Sequence, residues 1–243
     1  MGKVVVVGIG PGNYENMTVR ADEALRQCQA IVGYHVYTDL VKDRYPDKAF
    51  YTTGMTREAD RCRLALDLAA QGIDVAVVCS GDSGIYGMAA LVYELRGEQT
   101  EPQIEVVPGL TAAISGGAVL GAPLTHDFAV ISLSDRLTDW QLILKRLDAA
   151  AGADLSIVLY NPASKGRPDH LKKAVKRLAE TLPQDRICGI VRNIGRAGEH
   201  SQILSLRELE KADVDMFCTV FIGSSSSKMI AGKMVTPRGY RYD

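Results

Sequence analysis

The residues best suited to bind a ligand lie in a glycine-rich segment at positions 80–87, SGDSGIYG, which also carries the carboxylate of Asp82. The segment follows an apolar run that ends at Cys79. Glycine loses more backbone entropy on folding than other residues, so a cluster of glycines is expected where a ligand approaches the backbone or where φ must be positive. Asp82 could bind an amine or hydroxyl group of such a ligand, or it could cap a helix beginning near Tyr86. The segment therefore predicts a ligand-binding loop.

Two further loops of this kind follow short apolar runs, at positions 8–12 (GIGPG) and 108–111 (PGLT). Each of these loops, taken alone, could be an ordinary turn. However, the carboxyl ends of parallel strands share one edge of a sheet, and open α/β folds bind ligands at that edge. Three glycine-bearing strand ends thus predict one binding crevice.

Two common nucleotide-binding motifs are disfavoured. The dinucleotide fingerprint needs a third glycine where this chain has Asn13, and an acid at the end of the second strand, where it has Gly33 and Tyr34. The absence of that acid also weakens the case for the commoner methyltransferase fold. No glycine run is followed by the Lys-Ser/Thr pair of a phosphate-binding loop.

The histidines and the polar residues at other strand ends say less about function. No histidine has metal-ligand spacing to another histidine or to a cysteine, so no metal site is predicted. His35 and His126 lie near predicted strand ends, where partial burial without chemistry is the simpler interpretation. His170 is expected on the solvated face of a helix, with no role. Ser132 and Asp135 follow another predicted strand and suit either a site or a turn.

Composition places the chain among globular proteins, with 243 residues, of which 47% are hydrophobic and 23% charged. Its net charge of -1 argues against a nucleic-acid partner held by bulk electrostatics. The five cysteines form no C-x-x-C pair, which favours buried, reduced thiols. No run is long enough to span a bilayer and no leader-like segment precedes the first strand, so we expect a cytoplasmic protein with no membrane partner.

Strand and helix patterns alternate along the chain, which predicts an α/β fold with mostly parallel sheets covered on both faces. Thr18 and Thr56 are expected to cap helices, and Gly72 to end the second of these. A later helix is expected to reach Leu182 with one core-facing stripe, and residues 224–227 to form a polar turn.

The small-residue helix after the third loop is interrupted at residues 121–123. We therefore place a domain boundary near residue 120, which gives an N-terminal α/β domain at 1–120 and a C-terminal α/β domain at 121–243.

The three loops, with their flanking residues VGIGPG, SGDSGIYG and VPGLTA, together resemble the tetrapyrrole methylases, a family that depends on S-adenosylmethionine. Further segments are similar to the members that methylate C17 of precorrin-3B or cobalt-factor III and contract the macrocycle in cobalamin biosynthesis. These segments are at 33–34, 53–55, 126–128, 132–135, 160–162 and 236–240.

The resemblance implies a class III methyltransferase fold: two α/β domains with mostly parallel or mixed sheets, and the cofactor in the cleft between them. It also implies a homodimer, with S-adenosylmethionine as methyl donor and S-adenosylhomocysteine as product. The implied cofactor contacts are Pro11, Ser80, Gly81, Asp82, Ile85, Thr111, Ala112, Asn161, Asn193 and Ile194. Relatives that make sirohaem have methionine at the position of Asn161 and glycine at that of Ile194.

The chemistry implied is alignment of an electrophilic methyl group with a nucleophilic ring carbon, which needs no strong base. Ring contraction needs groups that steer protons, for which Ser132, Asp135, His126 and Tyr34 are candidates. The substrate is a tetrapyrrole with many carboxylates, so basic residues are expected to face it. Candidates are Arg57, Arg192 and Arg238, and also Lys165, Arg167 and Arg196.

Two alternatives stay open at this point. A methylase of the same family acting on another ring carbon would share the three loops and differ on the acceptor side. A non-catalytic nucleotide-binding module would bind the cofactor without turnover.

Overall fold

The computed structural model describes residues 1–241. Its contacts divide the chain into two compact units, Met1–Thr111 (unit 1) and Ala112–Asp243 (unit 2). Each unit is built on a five-stranded sheet.

The sheet of unit 1 is entirely parallel, with the order β3-β2-β4-β1-β5. Its strands are β1 Val4–Gly8, β2 Ala30–Tyr34, β3 Ala49–Thr53, β4 Val75–Cys79 and β5 Ile104–Val107. Successive residues of β1 enter opposite cores: Val4 and Val6 pack on one face, and Val5 and Val7 on the other. Burial on both faces explains why this strand is an uninterrupted apolar run instead of an alternating one.

Four α-helices cover this sheet: α1 Val19–Gln27, α2 His35–Thr38, α3 Glu58–Ala70 and α4 Ala89–Arg96. Thr18 caps α1 as expected, because its hydroxyl accepts a hydrogen bond of 3.1 Å from the Ala21 amide. The cap expected at Thr56 is wrong. Arg57 occupies the N-cap position of α3, and Thr56 has a φ of 68°, outside the extended region that a capping residue adopts. Gly72 follows α3 with a φ of 92°, which suits a helix end.

The sheet of unit 2 is mixed, with the order β10-β9-β11-β8-β7. Its strands are β7 Phe128–Ser132, β8 Ser156–Tyr160, β9 Ile187–Arg192, β10 His200–Ser205 and β11 Cys218–Ile222, while the short β6 Gly121–Ala122 belongs to another sheet. β7 is parallel to β8, and β11 is antiparallel to both β8 and β9. Therefore β7, β8 and β9 run in the same direction, and their carboxyl ends share an edge.

Helices cover both faces of this sheet. α5 Ala112–Leu120 packs on one face, and α6 Trp140–Gly152, α7 His170–Leu178 and α8 Leu206–Leu209 pack on the other. The apolar stripe expected on α7 is confirmed, but the helix ends at Leu178, four residues before the expected Leu182.

The polar turn at 224–227 leads into a hairpin of β12 Lys228–Ile230 and β13 Lys233–Val235, which sequence analysis missed. β13 pairs in parallel with β6 to form a small third sheet.

The division between units lies nine residues before the boundary placed near residue 120. α5 accounts for this difference, because it packs against β9, β10 and β11 of unit 2. Its glycines allow the close approach: an added Cβ on Gly116 would lie 3.0 Å from Cζ of Phe221 in β11.

All five cysteines are free and buried, as the sequence predicted. Burial raises the pKa of the Cys28, Cys62 and Cys218 thiols to about 11, and that of Cys79 and Cys188 to about 12. Among the described helices, none has both the length and the apolar character needed to cross a bilayer.

Candidate functional site

The three glycine-rich loops of unit 1 meet at the carboxyl edge of its sheet. The first two form an isolated antiparallel bridge, in which the Gly10 amide donates to the Gly81 carbonyl at 3.0 Å and the Gly81 amide donates to the Gly10 carbonyl at 2.7 Å. The second loop also reaches β5, because the buried Ser83 hydroxyl donates to the Val107 carbonyl at 2.9 Å. The loops therefore form one connected surface.

Loop-to-loop contact explains two of the glycines. A Cβ added at Gly8 would lie 2.7 Å from the Gly109 nitrogen, and one at Gly109 would lie 2.2 Å from the Gly81 oxygen. Real Cβ atoms do not approach backbone so closely, so glycine is required here by the neighbouring loops themselves. Gly10 and Gly81 have positive φ angles of 74° and 69°, which also favour glycine.

Asp82 holds this arrangement together. Its Oδ1 accepts hydrogen bonds from the amides of Gly84 and Ile85 at 2.8 and 2.9 Å, and its Oδ2 accepts one from the Gly109 amide at 2.9 Å. Since α4 begins only at Ala89, Asp82 does not cap that helix. The carboxylate orders its own loop and ties it to the third.

The predicted contacts in these loops differ in accessibility. Pro11 and Thr111 are buried and Ser80 is half-buried. Ile85 is 42% exposed, and Leu110 in the third loop is 36% exposed. The carboxyl edge of unit 1 thus offers a rigid polar backbone beside exposed apolar side chains, which together suit a ligand with both polar and aromatic parts.

The remaining predicted residues of unit 1 lie beside β2 and β3. Tyr34 ends β2 and makes edge contacts with the rings of His35 and Tyr37, at centroid distances of 4.4 and 5.2 Å. Arg57 is exposed and pairs with Asp60.

Sequence analysis missed the neighbouring Arg61, which is only 4% exposed. Its Nε donates to the Thr53 hydroxyl at 2.9 Å, and its Nη2 donates to the Gly54 carbonyl at 3.2 Å. No carboxylate of the described chain forms an ion pair with it. Arg61 anchors the segment that follows β3.

In unit 2, several predicted residues meet at the shared carboxyl edge of β7, β8 and β9. The Asn161 amide, after β8, donates to the Ser132 hydroxyl, at the end of β7, at 2.9 Å. Asn193 follows β9, and Ile194 beside it is buried. Asn161 and Asn193 have φ angles of 55° and 53°, a left-handed conformation that asparagine tolerates better than most residues. Ala112 opens α5 and is half-buried.

Asp135 lies just beyond Ser132 and belongs to a cluster that sequence analysis did not find. Its Oδ2 is 3.1 Å from Nε2 of His170, and its Oδ1 is 3.5 Å from Nη1 of Arg167. The expectation for His170 is wrong: the residue is buried, because the loop after β7 and the ring of Trp140 cover the start of α7.

Three other predicted residues form no ion pair with this cluster in residues 1–241. His126 precedes β7, so it lies at the opposite edge of the sheet, where its Nδ1 accepts a hydrogen bond of 2.9 Å from the Asp127 amide. Arg192 is neutralised by Asp215 at 2.7 Å and Asp213 at 3.5 Å. Arg238 is exposed and has no ion-pair partner in residues 1–241.

Residues 3–210 match the family model described as Tetrapyrrole (Corrin/Porphyrin) Methylases. A curated relative from Salmonella typhimurium, a probable cobalt-factor III C(17)-methyltransferase, is 45% identical over 97% of this chain and 98% of its own length. The cobalt-factor III methyltransferase of Priestia megaterium is 40% identical over 99% of this chain. That relative is longer, and the match covers 45% of it.

Solved structures agree with these matches. The crystal structure of the methyltransferase CobJ aligns with a TM-score of 0.91 and 33% identity, over 98% of this chain and 100% of that one. A uroporphyrin-III C-methyltransferase from Thermus thermophilus, complexed with S-adenosylhomocysteine, has a TM-score of 0.73 at 21% identity, over 91% of this chain and 97% of that one. The second likeness shows a shared fold.

Proposed function

Since this chain belongs to the tetrapyrrole methylase family, we propose that it transfers a methyl group from S-adenosylmethionine to C17 of precorrin-3B or cobalt-factor III, with ring contraction, in cobalamin biosynthesis. The observation that carries the proposal is the 45% identity to a probable cobalt-factor III C(17)-methyltransferase over nearly the full length of both chains. The match to CobJ at 33% identity supports it.

The loops of unit 1 fit the methyl donor. The backbone of residues 84–86 is exposed and ordered by Asp82, and Ile85 presents an apolar surface beside it. We propose that Pro11, Ser80, Gly81, Asp82, Ile85 and Thr111 bind this cofactor, together with Ala112, Asn161, Asn193 and Ile194 of unit 2. When bound, S-adenosylmethionine supplies a methyl group that is already electrophilic. The protein's part is to orient the reactants and exclude water, which can contribute about 7 to 11 kcal/mol.

On the acceptor side, the peripheral carboxylates of the substrate need cationic partners. Arg238 has no carboxylate partner in the described chain and is therefore the best placed of the three predicted arginines. Arg57 and Arg192 already form ion pairs with acidic residues of the protein, and they would have to break these pairs to bind carboxylates of the substrate. Tyr34, Ser132 and Asp135 lie at carboxyl edges of their sheets and stay candidates for proton steering. His126, at the opposite edge of its sheet, is the weakest of the four.

The test is incubation with S-adenosylmethionine and either precorrin-3B or cobalt-factor III, in parallel, followed by mass spectrometry and NMR of the product. We expect the gain of one methyl group at C17 and a contracted ring. A methyl group at another ring carbon would identify a different methylase of the family. Binding of S-adenosylhomocysteine without turnover on either substrate would favour a non-catalytic nucleotide-binding module.

We further propose that the enzyme is a cytoplasmic homodimer. The five free thiols support a reducing compartment. Light scattering on the purified protein would contradict the dimer if it gave the mass of one chain.

A further inference from the structure

His170 is a buried histidine that the proposed chemistry has not yet used. It begins α7 and is 8% exposed. Within the described chain, neither of its ring nitrogens has an aligned hydrogen-bond partner. Burying an imidazole without full hydrogen bonding costs free energy, so an apolar residue would serve packing better at this position.

A carboxylate side chain lies next to one of the ring nitrogens of His170. Its Nε2 approaches Oδ2 of Asp135 to 3.1 Å, and the edge of Trp140 limits its ring at a centroid distance of 4.7 Å. On the other side of the carboxylate, Arg167 lies 3.5 Å from Oδ1 and also donates to the Ser134 hydroxyl. The guanidinium of Arg167 is fixed in turn, because its Nε donates to the Ser164 hydroxyl at 3.2 Å.

Asp135 therefore has an inner and an outer side. Its oxygens face His170 and Arg167 inward, yet its side chain is still 37% exposed. It lies three residues beyond Ser132, which meets Asn161 at the carboxyl edge of β7 and β8. A carboxylate held on one side by two basic groups keeps its outward lone pairs available for a hydrogen-bond donor.

We propose that His170 and Arg167 are positioning residues that hold the Asp135 carboxylate, and that Asp135 accepts a hydrogen bond from a hydroxyl or N–H group of the macrocyclic substrate. The inference rests on the proposed function for the identity of that substrate. It assigns a role to His170 and Arg167, neither of which is among the residues predicted to steer protons.

Electrostatics support the arrangement. The imidazole of His170 is the main cause that lowers the pKa of Asp135, and Arg167 adds to it, whereas desolvation opposes the shift. His170 and Arg167 are the charged or titratable groups of the described chain that face this carboxylate. With His170 removed, the pKa of Asp135 rises, so the active carboxylate is lost at a higher pH as the solution is acidified.

The test compares Asp135→Asn, His170→Leu and His170→Gln with Val175→Ala, a control in the buried stripe of the same helix. We expect Asp135→Asn to lower kcat/KM for the tetrapyrrole roughly 10- to 100-fold with an unchanged Kd for S-adenosylhomocysteine, since a hydrogen bond to a charged group is lost. His170→Leu should lower kcat and move the acid limb of the pH profile upward. His170→Gln, which keeps an N–H donor, should recover most of the rate.

A merely structural role predicts different results. Val175→Ala should reduce thermal stability and leave the pH profile unchanged, and a structural His170 would behave in the same way. The proposal is overturned if the wild-type enzyme turns over and Asp135→Asn keeps its rate, or if His170→Leu folds and keeps the wild-type profile. If His170→Leu does not fold, Asp135→Asn decides, because its side chain is partly exposed and folding should tolerate the change.

Failure of the proposed function is recognised separately, by the absence of wild-type turnover. In that case the carboxyl carbon of Asp135 can be titrated by NMR in wild-type protein and His170→Leu, which removes the donor. An unchanged titration midpoint in His170→Leu overturns the positioning role without reference to any substrate.

Discussion

At the scale of single residues, Asp82 shows how one side chain can order a binding surface. Its carboxylate satisfies three backbone amides in two loops, so its contribution to ligand binding is through the shape of the backbone. Replacing Gly81 would be a poor probe of the same surface. Its φ of 69° means that any side chain there strains the loop itself, whatever the ligand does.

We expect Asp82→Asn to weaken S-adenosylhomocysteine binding by about tenfold or more. The amide replaces one acceptor oxygen with a donor that faces backbone N–H groups, and hydrogen bonds to a charged group contribute about 1.5–3 kcal/mol. Isothermal titration calorimetry measures the change. Asp127→Asn, at an acid that is 83% exposed, is the matched control and should bind normally. Wild-type affinity in Asp82→Asn would show that the loops keep their shape without the carboxylate.

Asp22 gives a residue-scale prediction about pH. Burial opposes its ionisation, but hydrogen bonds from Arg26 and from the buried Tyr45 outweigh this and lower its pKa. The folded pKa lies below the unfolded value of about 3.9, so the stabilisation is complete above that value and is lost as the pH falls through the folded pKa.

Asp22→Asn should therefore lower the free energy of unfolding by about 1–3 kcal/mol at pH 7, and by progressively less towards pH 3. Urea denaturation across this range tests it, with the exposed Asp67→Asn as control. If the loss in free energy of unfolding caused by Asp22→Asn stayed constant with pH, the charge of Asp22 would play no part in stability.

At the scale of elements, α5 carries two adjacent glycines in different surroundings. A Cβ on Gly116 would meet Ile194 at 2.9 Å and Phe221 at 3.0 Å, whereas one on Gly117 would make an ordinary contact with Leu124 at 3.5 Å. Gly116 is one of the positions at which the helix packs on the sheet. Gly117 has room.

Gly117→Ala should stabilise the protein by up to about 1 kcal/mol, which is the helix-propensity difference between the two residues. Gly116→Ala should destabilise it by roughly 1–3 kcal/mol, because the rigid Phe221 ring cannot move far. Urea denaturation of both variants measures the two effects, and each variant is the control for the other. Equal effects of both substitutions would mean that α5 shifts freely on its sheet.

At the scale of the whole molecule, local patterns predicted most of the elements and the three loops that meet in unit 1. An apolar run followed by glycines marks the end of its own strand, so these strand ends could be predicted from neighbouring residues alone. The antiparallel course of β10 and β11 was not evident, because the residue pattern of a strand reads the same in either direction. The hairpin of β12 and β13 is short and mostly exposed, so it lacks a strong periodic pattern.

The misjudged residues depend on distant parts of the chain. His170 is the first residue of α7, and it is covered by Trp140 and by the loop after β7, which carries Asp135 35 residues earlier in the chain. Arg61 carries no signal of its own in the sequence, because its partners Thr53 and Gly54 come from the end of β3 and the residue after it. The start of α5 was assigned to the first domain because nothing local reveals which sheet a small-residue helix packs on.

The cysteines provide a whole-molecule prediction. All five are buried with raised pKa values, so native protein should react very slowly with a thiol reagent at pH 7 and should release five equivalents when unfolded in guanidinium chloride. The denatured sample is the control for thiol count. A fast phase in native buffer would reveal a cysteine made accessible by opening of its unit.

The interlocked glycine loops have a kinetic consequence. The Gly10 and Gly81 amides are bonded to each other's carbonyls, and the Gly109 amide is bonded to Asp82, so freeing one loop means breaking bonds of another. Amide hydrogen exchange at these three glycines should therefore report one shared opening event with a common free energy. A ligand that touches any one loop should slow exchange at all three by the same factor, which makes a remote glycine amide a sensor of cofactor binding.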